Sequence, residues 1–179
     1  MASLRTTSSM FLFLSALLFS ACPLSVAAPA SSQENATLHD QTAFCDYQSG
    51  KQVSVRYNAV AAGRSEGPPL NKIWMPGGTA MTLFVESPLN VASTDIPPGA
   101  YTLYLLPGKK DWKFIVSRNP VVDHPYDEKQ DLVRAPMDIG TLSNAETELS
   151  VTFGRPGPKQ CELDVDFGKT KAWITLNEK

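Results

Sequence analysis

From residue 52 to residue 176, apolar side chains recur at every second position in short runs, and this alternation leaves few folds open. In the first run Val53, Val55 and Tyr57 fall on one side, with Ser54 and Arg56 on the other. Further runs lie at 82–86, 89–93, 101–106, 113–118, 132–137, 148–153, 161–167 and 171–176. A period of two belongs to a strand with one buried face, and no long stretch keeps the helical period of 3.6. Turn formers separate the runs, among them Pro97-Pro98-Gly99, Pro107-Gly108 and Gly154-Arg155-Pro156-Gly157-Pro158. The pattern predicts an all-β fold of one domain over residues 44–179. An antiparallel β-sandwich is the leading architecture, and a jelly-roll-like or partly open barrel is the alternative.

The last two runs fix their own register. With Gly168-Lys169 as the turn, Asp166 faces Lys171, Asp164 faces Trp173 and Leu163 faces Ile174. Glycine in the first turn position suits a type II′ hairpin. One face then gathers Cys161, Leu163, Val165, Phe167, Ala172, Ile174 and Leu176. The other carries Glu162, Asp164, Asp166, Lys171, Trp173 and Thr175. A slip of one residue mixes the two sets, so this register is strongly specified.

The beginning of the chain has a different character. Arg5 is the only charge in the first thirty residues, and the apolar run 10–19 is followed by small residues. This is the layout of a secretory signal, too short to span a bilayer as a helix. Two processing routes fit. A peptidase cut after Ala28-Pro29-Ala30 removes residues 1–30. A lipobox-like Phe19-Ser20-Ala21-Cys22 removes residues 1–21 and leaves Cys22 lipidated. Residues 31–43 read as a flexible polar lead-in. The expectation is an exported protein, periplasmic or secreted, with any attachment to the outer membrane made by lipid on Cys22. An oxidising compartment permits disulfides, and subtracting Cys22 leaves Cys45 and Cys161 to pair across the domain.

Charge and histidine content narrow the function classes. The chain has a formal net charge of −2 and no basic stripe that would track phosphates, so nucleic acid is not an expected partner. With two histidines, neither a cupin-like metal site nor a zinc site can be assembled, and no cofactor is called for. Gly63-Arg64-Ser65-Glu66-Gly67 matches the letters of a nucleophile elbow but lacks its strand-to-helix setting, and reads as a turn. The acidic loop 123–131 reads as solvated rather than as a calcium loop. Glu162, Asp164 and Asp166 share a face, and Lys171 opposite Asp166 marks that face as an ordinary charged surface with a cross-strand pair. Trp173 on the same polar face is a candidate for sugar stacking or partner binding. Trp74 and Trp112 read as packed residues.

The segments Gly63-Arg64, Trp74, Asp95 to Tyr104, Trp112 and Asp131-Leu132-Val133-Arg134 together resemble a bacterial exported family, the domain of unknown function 2911. The resemblance runs from about Gly50 to Leu176 and implies an exported β-rich domain, without a reaction or ligand. The family pattern has an Arg-Thr-Gly-Ala-Asn-Glu-Ala-like stretch after the tryptophan that matches Trp74. Here Met75-Pro76-Gly77-Gly78-Thr79-Ala80-Met81 stands instead, so that charged pair is missing.

These readings converge on an uncharacterised cell-envelope domain, a non-enzymatic binding or structural module whose partner is a glycan, a peptide or another envelope protein. Arg64, Trp74, Arg134 and Trp173 are its binding candidates, against salt bridges for the arginines and packing for the tryptophans. A hydrolase or transferase acting on envelope carbohydrate is the alternative, and a calcium-stabilised adhesion domain is the second. No catalytic residue and no metal ligand is assigned.

Overall fold

The computed structural model describes residues 39–62 and 68–179. The expected leader, Cys22, Arg64 and the segment 63–67 lie outside the described residues. Eleven strands follow in chain order. They are β1 (His39–Asp46), β2 (Gln52–Ala59), β3 (Met81–Val85), β4 (Leu89–Val91), β5 (Thr94–Ile96), β6 (Gly99–Pro107), β7 (Trp112–Ser117), β8 (Asp131–Thr141), β9 (Ser150–Gly157), β10 (Gln160–Phe167) and β11 (Thr170–Glu178). Among the described residues only two single 3-10 turns are helical, Pro76–Gly78 and Glu128–Gln130.

The strands make one antiparallel sheet in the order β1-β2-β3-β6-β7-β8-β11-β10-β9, with the β4–β5 hairpin attached to the end of β11. The all-β expectation holds. The two layers are halves of a single sheet that curls until it nearly closes, which is closer to the partly open barrel than to two separate sheets. β8 makes the corner. Its first part pairs with β7 from Asp131 to Met137, and its second part pairs with β11 from Asp138 to Thr141. Pro136 is tolerated there because that stretch pairs on one side only, so a missing N–H costs no ladder bond.

The curled sheet is fastened at its seam. Beyond β2, Ala61 bridges Glu148, and Leu149 N–H donates to the Val60 carbonyl. Cys45 of β1 and Cys161 of β10 form a disulfide with Cα atoms 6.1 Å apart, and both are buried. The core fills the space between the halves. Trp74 from the strap before β3 meets Trp112 edge-on at 5.9 Å and Phe167 at 4.9 Å, joining both halves through one side chain. A smaller cluster around Tyr104 and Ile115 fills the outer side of β6 and β7, beneath loop residues Val122 and Tyr126.

Three elements differ from the sequence reading. β1 begins at His39, inside the segment 31–43 read as lead-in. It is a terminal strand whose large side chain, Phe44, points outward while Ala43 packs inward, so it carries little apolar signal. β5 follows a two-residue turn, Ala92-Ser93, with φ of 46° and 69°. That left-handed geometry ordinarily selects Gly or Asn, and neither marks it here. The tract 154–157, read as a turn, belongs to β9. It bulges opposite Glu162 and Gln160 at the sheet's last strand, where Pro156 is accommodated, and the turn itself is Pro158-Lys159.

Removing the clasp is a direct test of this closure. The chain-entropy argument gives about 4–5 kcal/mol for a crosslink spanning more than a hundred residues. A Cys45→Ala, Cys161→Ala double variant is expected to lose stability of that order in urea unfolding. A loss under about 1 kcal/mol would mean that the seam holds without sulfur.

Candidate functional site

The hairpin β10–β11 forms with the expected register: Asp166 is opposite Lys171, Asp164 opposite Trp173 and Leu163 opposite Ile174. Gly168 supplies the positive φ of the turn, 58°, and Lys169 does not share it, as type II′ geometry requires. The inward set is buried throughout, from Cys161 to Leu176. The outward set lies beside the second part of β8, so the candidate site is the outer face of β8, β11 and β10.

Trp173 is at its centre. It is half-buried, between Asp164 of β10 and the exposed Asp138 of β8. Its indole lies against Gly140, where an added Cβ would come within 3.2 Å of the ring. Glycine at this position is therefore the seat of the tryptophan. Sequence reasoning missed it, because β8 and β11 meet only through tertiary pairing.

The charged residues organise differently from the expected cross-strand pair. Lys171 faces Asp166 in register, but its ammonium reaches diagonally to Asp164 Oδ2 at 2.9 Å and lies 6.0 Å from the Trp173 ring. Asp164 is buried, and its Oδ1 has no hydrogen-bond partner among the described residues. The Asp164 hydrogen bond holds the Lys171 pKa above the usual lysine range. Asp166 is left without the ion pair, and its own Oδ1 is buried without a partner. Burial pushes its carboxyl above the ordinary range. Lys171 pulls it down, and the negative charges of Asp164 and Glu146 push it further up. The face thus combines an aromatic plate, a fixed ammonium and a carboxyl that keeps its proton to higher pH.

The other candidates fall elsewhere. Trp74 is core. Arg134, on the outer side of the first part of β8, anchors the loop before it. Its Nη2 donates to Tyr126 Oη at 2.7 Å and its Nε to Asp131 Oδ2 at 3.2 Å, while Tyr126 donates to the same Asp131 oxygen at 2.8 Å. Tyr126 also packs edge-on against Tyr104 at 5.1 Å. Burial, then the neighbouring Asp131, pushes the Tyr126 phenol up to about 12. Three of the acidic loop's four carboxylates serve the protein itself. Asp127 caps Lys129 N–H, Glu128 lies 3.7 Å from Arg134, and Asp131 takes Tyr126. Among the described residues no group of three or more His, Cys, Asp or Glu is placed to hold a metal ion.

The sequence pattern of the family described as "Protein of unknown function (DUF2911)" matches residues 40–176 of the chain. No curated protein and no solved structure matches.

Asp166 gives a pH prediction with a definite sign. A carboxyl whose folded-state pKa is raised holds its proton more tightly in the native state. Its contribution is fully present below the unfolded pKa and is lost as pH rises through the folded one. Asp166→Asn is therefore expected to melt higher than the parent at pH 7.5, with the margin shrinking as pH falls toward about 4. A margin that stays constant or widens on acidification would show that Asp166 is not destabilised by its surroundings.

Proposed function

The chain belongs to the DUF2911 family of proteins of unknown function, and from that premise we propose a non-enzymatic binding module of the cell envelope that holds a glycan on the Trp173 face. The observation that carries this reading is the half-buried indole seated on Gly140 within a polar sheet face. An indole face takes the C–H side of a sugar ring, and polar groups beside it take the hydroxyls. Asp138, Glu162 and Lys171 stand in those positions, and the ion pair to Asp164 holds Lys171 in place before any ligand arrives. Preorganised groups lose little entropy on binding.

Export supports the same reading. The leader is of the secretory type, and a disulfide closing the barrel persists in an oxidising compartment such as the periplasm or the exterior. Any hold on the membrane is through lipid on Cys22.

One observation favours a second reading, hydrolysis of envelope carbohydrate. Asp164 and Asp166 are two residues apart on one strand face, about 7 Å between Cα atoms, and Asp166 retains its proton to higher pH. Glycoside hydrolysis uses a pair of carboxyls of which one keeps its proton.

Titration with chitotetraose and soluble peptidoglycan fragments, followed by tryptophan fluorescence and by chromatography of the sugar, separates the two. The binding module predicts saturable fluorescence change, intact sugar, and a Kd about tenfold weaker or more in Trp173→Ala, a loss of about 1.4 kcal/mol. Unchanged binding by Trp173→Ala would contradict it. Sugar cleavage that disappears in Asp166→Asn would establish the hydrolase instead.

A further inference from the structure

The outer face of β1, β2 and β3 carries an arrangement independent of the Trp173 face. Alternation sends Val53, Val55, Leu83 and Val85 into the core, and Phe44, Ser54, Arg56 and Phe84 outward. Register sets Phe44 opposite Ser54 and Ser54 opposite Phe84. The two rings are 59% and 42% exposed. Across three adjacent strands their Cα atoms are about 9.5–10 Å apart, and the small Ser54 makes the floor between them. Scattered surface apolar residues are ordinary, but two aromatic walls across one small residue make a slot.

The slot has a charge at each end. On one side along β2 lies Gln52, flanked by Asp46 and Glu86. Its Nε2 donates to Asp46 Oδ1 at 3.0 Å, and its backbone N–H donates to Glu86 Oε2 at 3.0 Å. On the other side lies Arg56. Asp40 accepts from its Nε and from Nη2, which fixes the plane of the guanidinium. Among the described residues Nη1 has no acceptor, so the Nη1–Nη2 edge is presented outward for a second carboxylate, the geometry that guanidinium reads bidentately. A groove of about 270 Å³ opens beyond it, lined by Asn58, Thr79 and Thr82 as well as Arg56.

Arg56 lies four positions along β2 from Gln52, a span of about 13–14 Å. An extended chain of four residues has the same length. We propose that this face binds short extended peptides with free termini, the ammonium toward Asp46 and Glu86, an apolar side chain between Phe44 and Phe84, and the terminal carboxylate on Arg56. The complementarity of charge along the slot selects this occupant over a neutral sugar, which offers neither an ammonium nor a carboxylate.

The test uses the full disulfide-bonded chain, labelled with ¹⁵N, and the tetrapeptide Ala-Leu-Leu-Ala with free termini. Saturable amide shifts are expected at Phe44, Ser54, Arg56 and Phe84. C-terminal amidation of the peptide, Arg56→Gln and Phe84→Ala should each weaken binding about tenfold or more. The amidated peptide needs no protein variant, so it stands even if a substitution impairs folding. Absence of shifts at millimolar peptide, or equal affinity for the amidated form, would overturn the proposal. So would shifts of the same amides by chitotetraose alone, or line broadening there that grows with protein concentration without peptide. The peptide outcomes do not bear on sugar binding at Trp173, whose amide is expected to stay unmoved by the peptide.

Discussion

The pairing of β10 with β11 is the constraint on which most of the structure depends. One register buries Cys161, Leu163, Val165 and Ile174, and by the same act turns Asp164, Asp166, Lys171 and Trp173 outward. Core and candidate site are therefore two sides of one hairpin. The corner strand β8 then supplies the remaining pieces. Its first part closes one half of the sheet through β7, and its second part delivers Asp138 and Gly140 to the edge of Trp173. The disulfide acts on the far side of this hairpin, bringing β1 against it and completing the curl.

Electrostatics on the outer face run against stability, which is informative. Two buried carboxylate oxygens, on Asp164 and Asp166, have no partner among the described residues, and unpaired buried polar atoms cost free energy. One ammonium cannot serve both carboxylates, and Lys171 is committed to Asp164. Local violations of this kind are expected at functional or strained sites.

The sequence made the strong hairpin legible because its apolar and polar sets are cleanly separated and its turn contains glycine at the required position. The Cys45–Cys161 pairing was legible through parity once Cys22 was set aside. Other features depend on tertiary pairing and leave no local trace. β1 hides its role because Phe44 faces solvent and Ala43 faces the core. β5 hides because Ala92 and Ser93 adopt a left-handed turn without the residues that usually announce one. Lys171 was placed correctly by register, yet a long side chain chooses its own partner, and it crosses to Asp164. Gly140 and the slot between Phe44 and Phe84 emerge only when strands distant in sequence are laid side by side.

The account stands or falls on the hairpin register, and backbone proton distances read that register directly. Flanking a two-residue turn, Asp166–Lys171, Asp164–Trp173 and Glu162–Thr175 are the pairs without mutual hydrogen bonds, with Cα atoms about 4.5 Å apart. Strong Hα–Hα nuclear Overhauser effects are predicted between the members of each of these pairs. A set displaced by one residue, such as Leu163 with Trp173, would put a core leucine and the outward indole on one face, mixing the apolar and polar sets, and would contradict both the fold and the site.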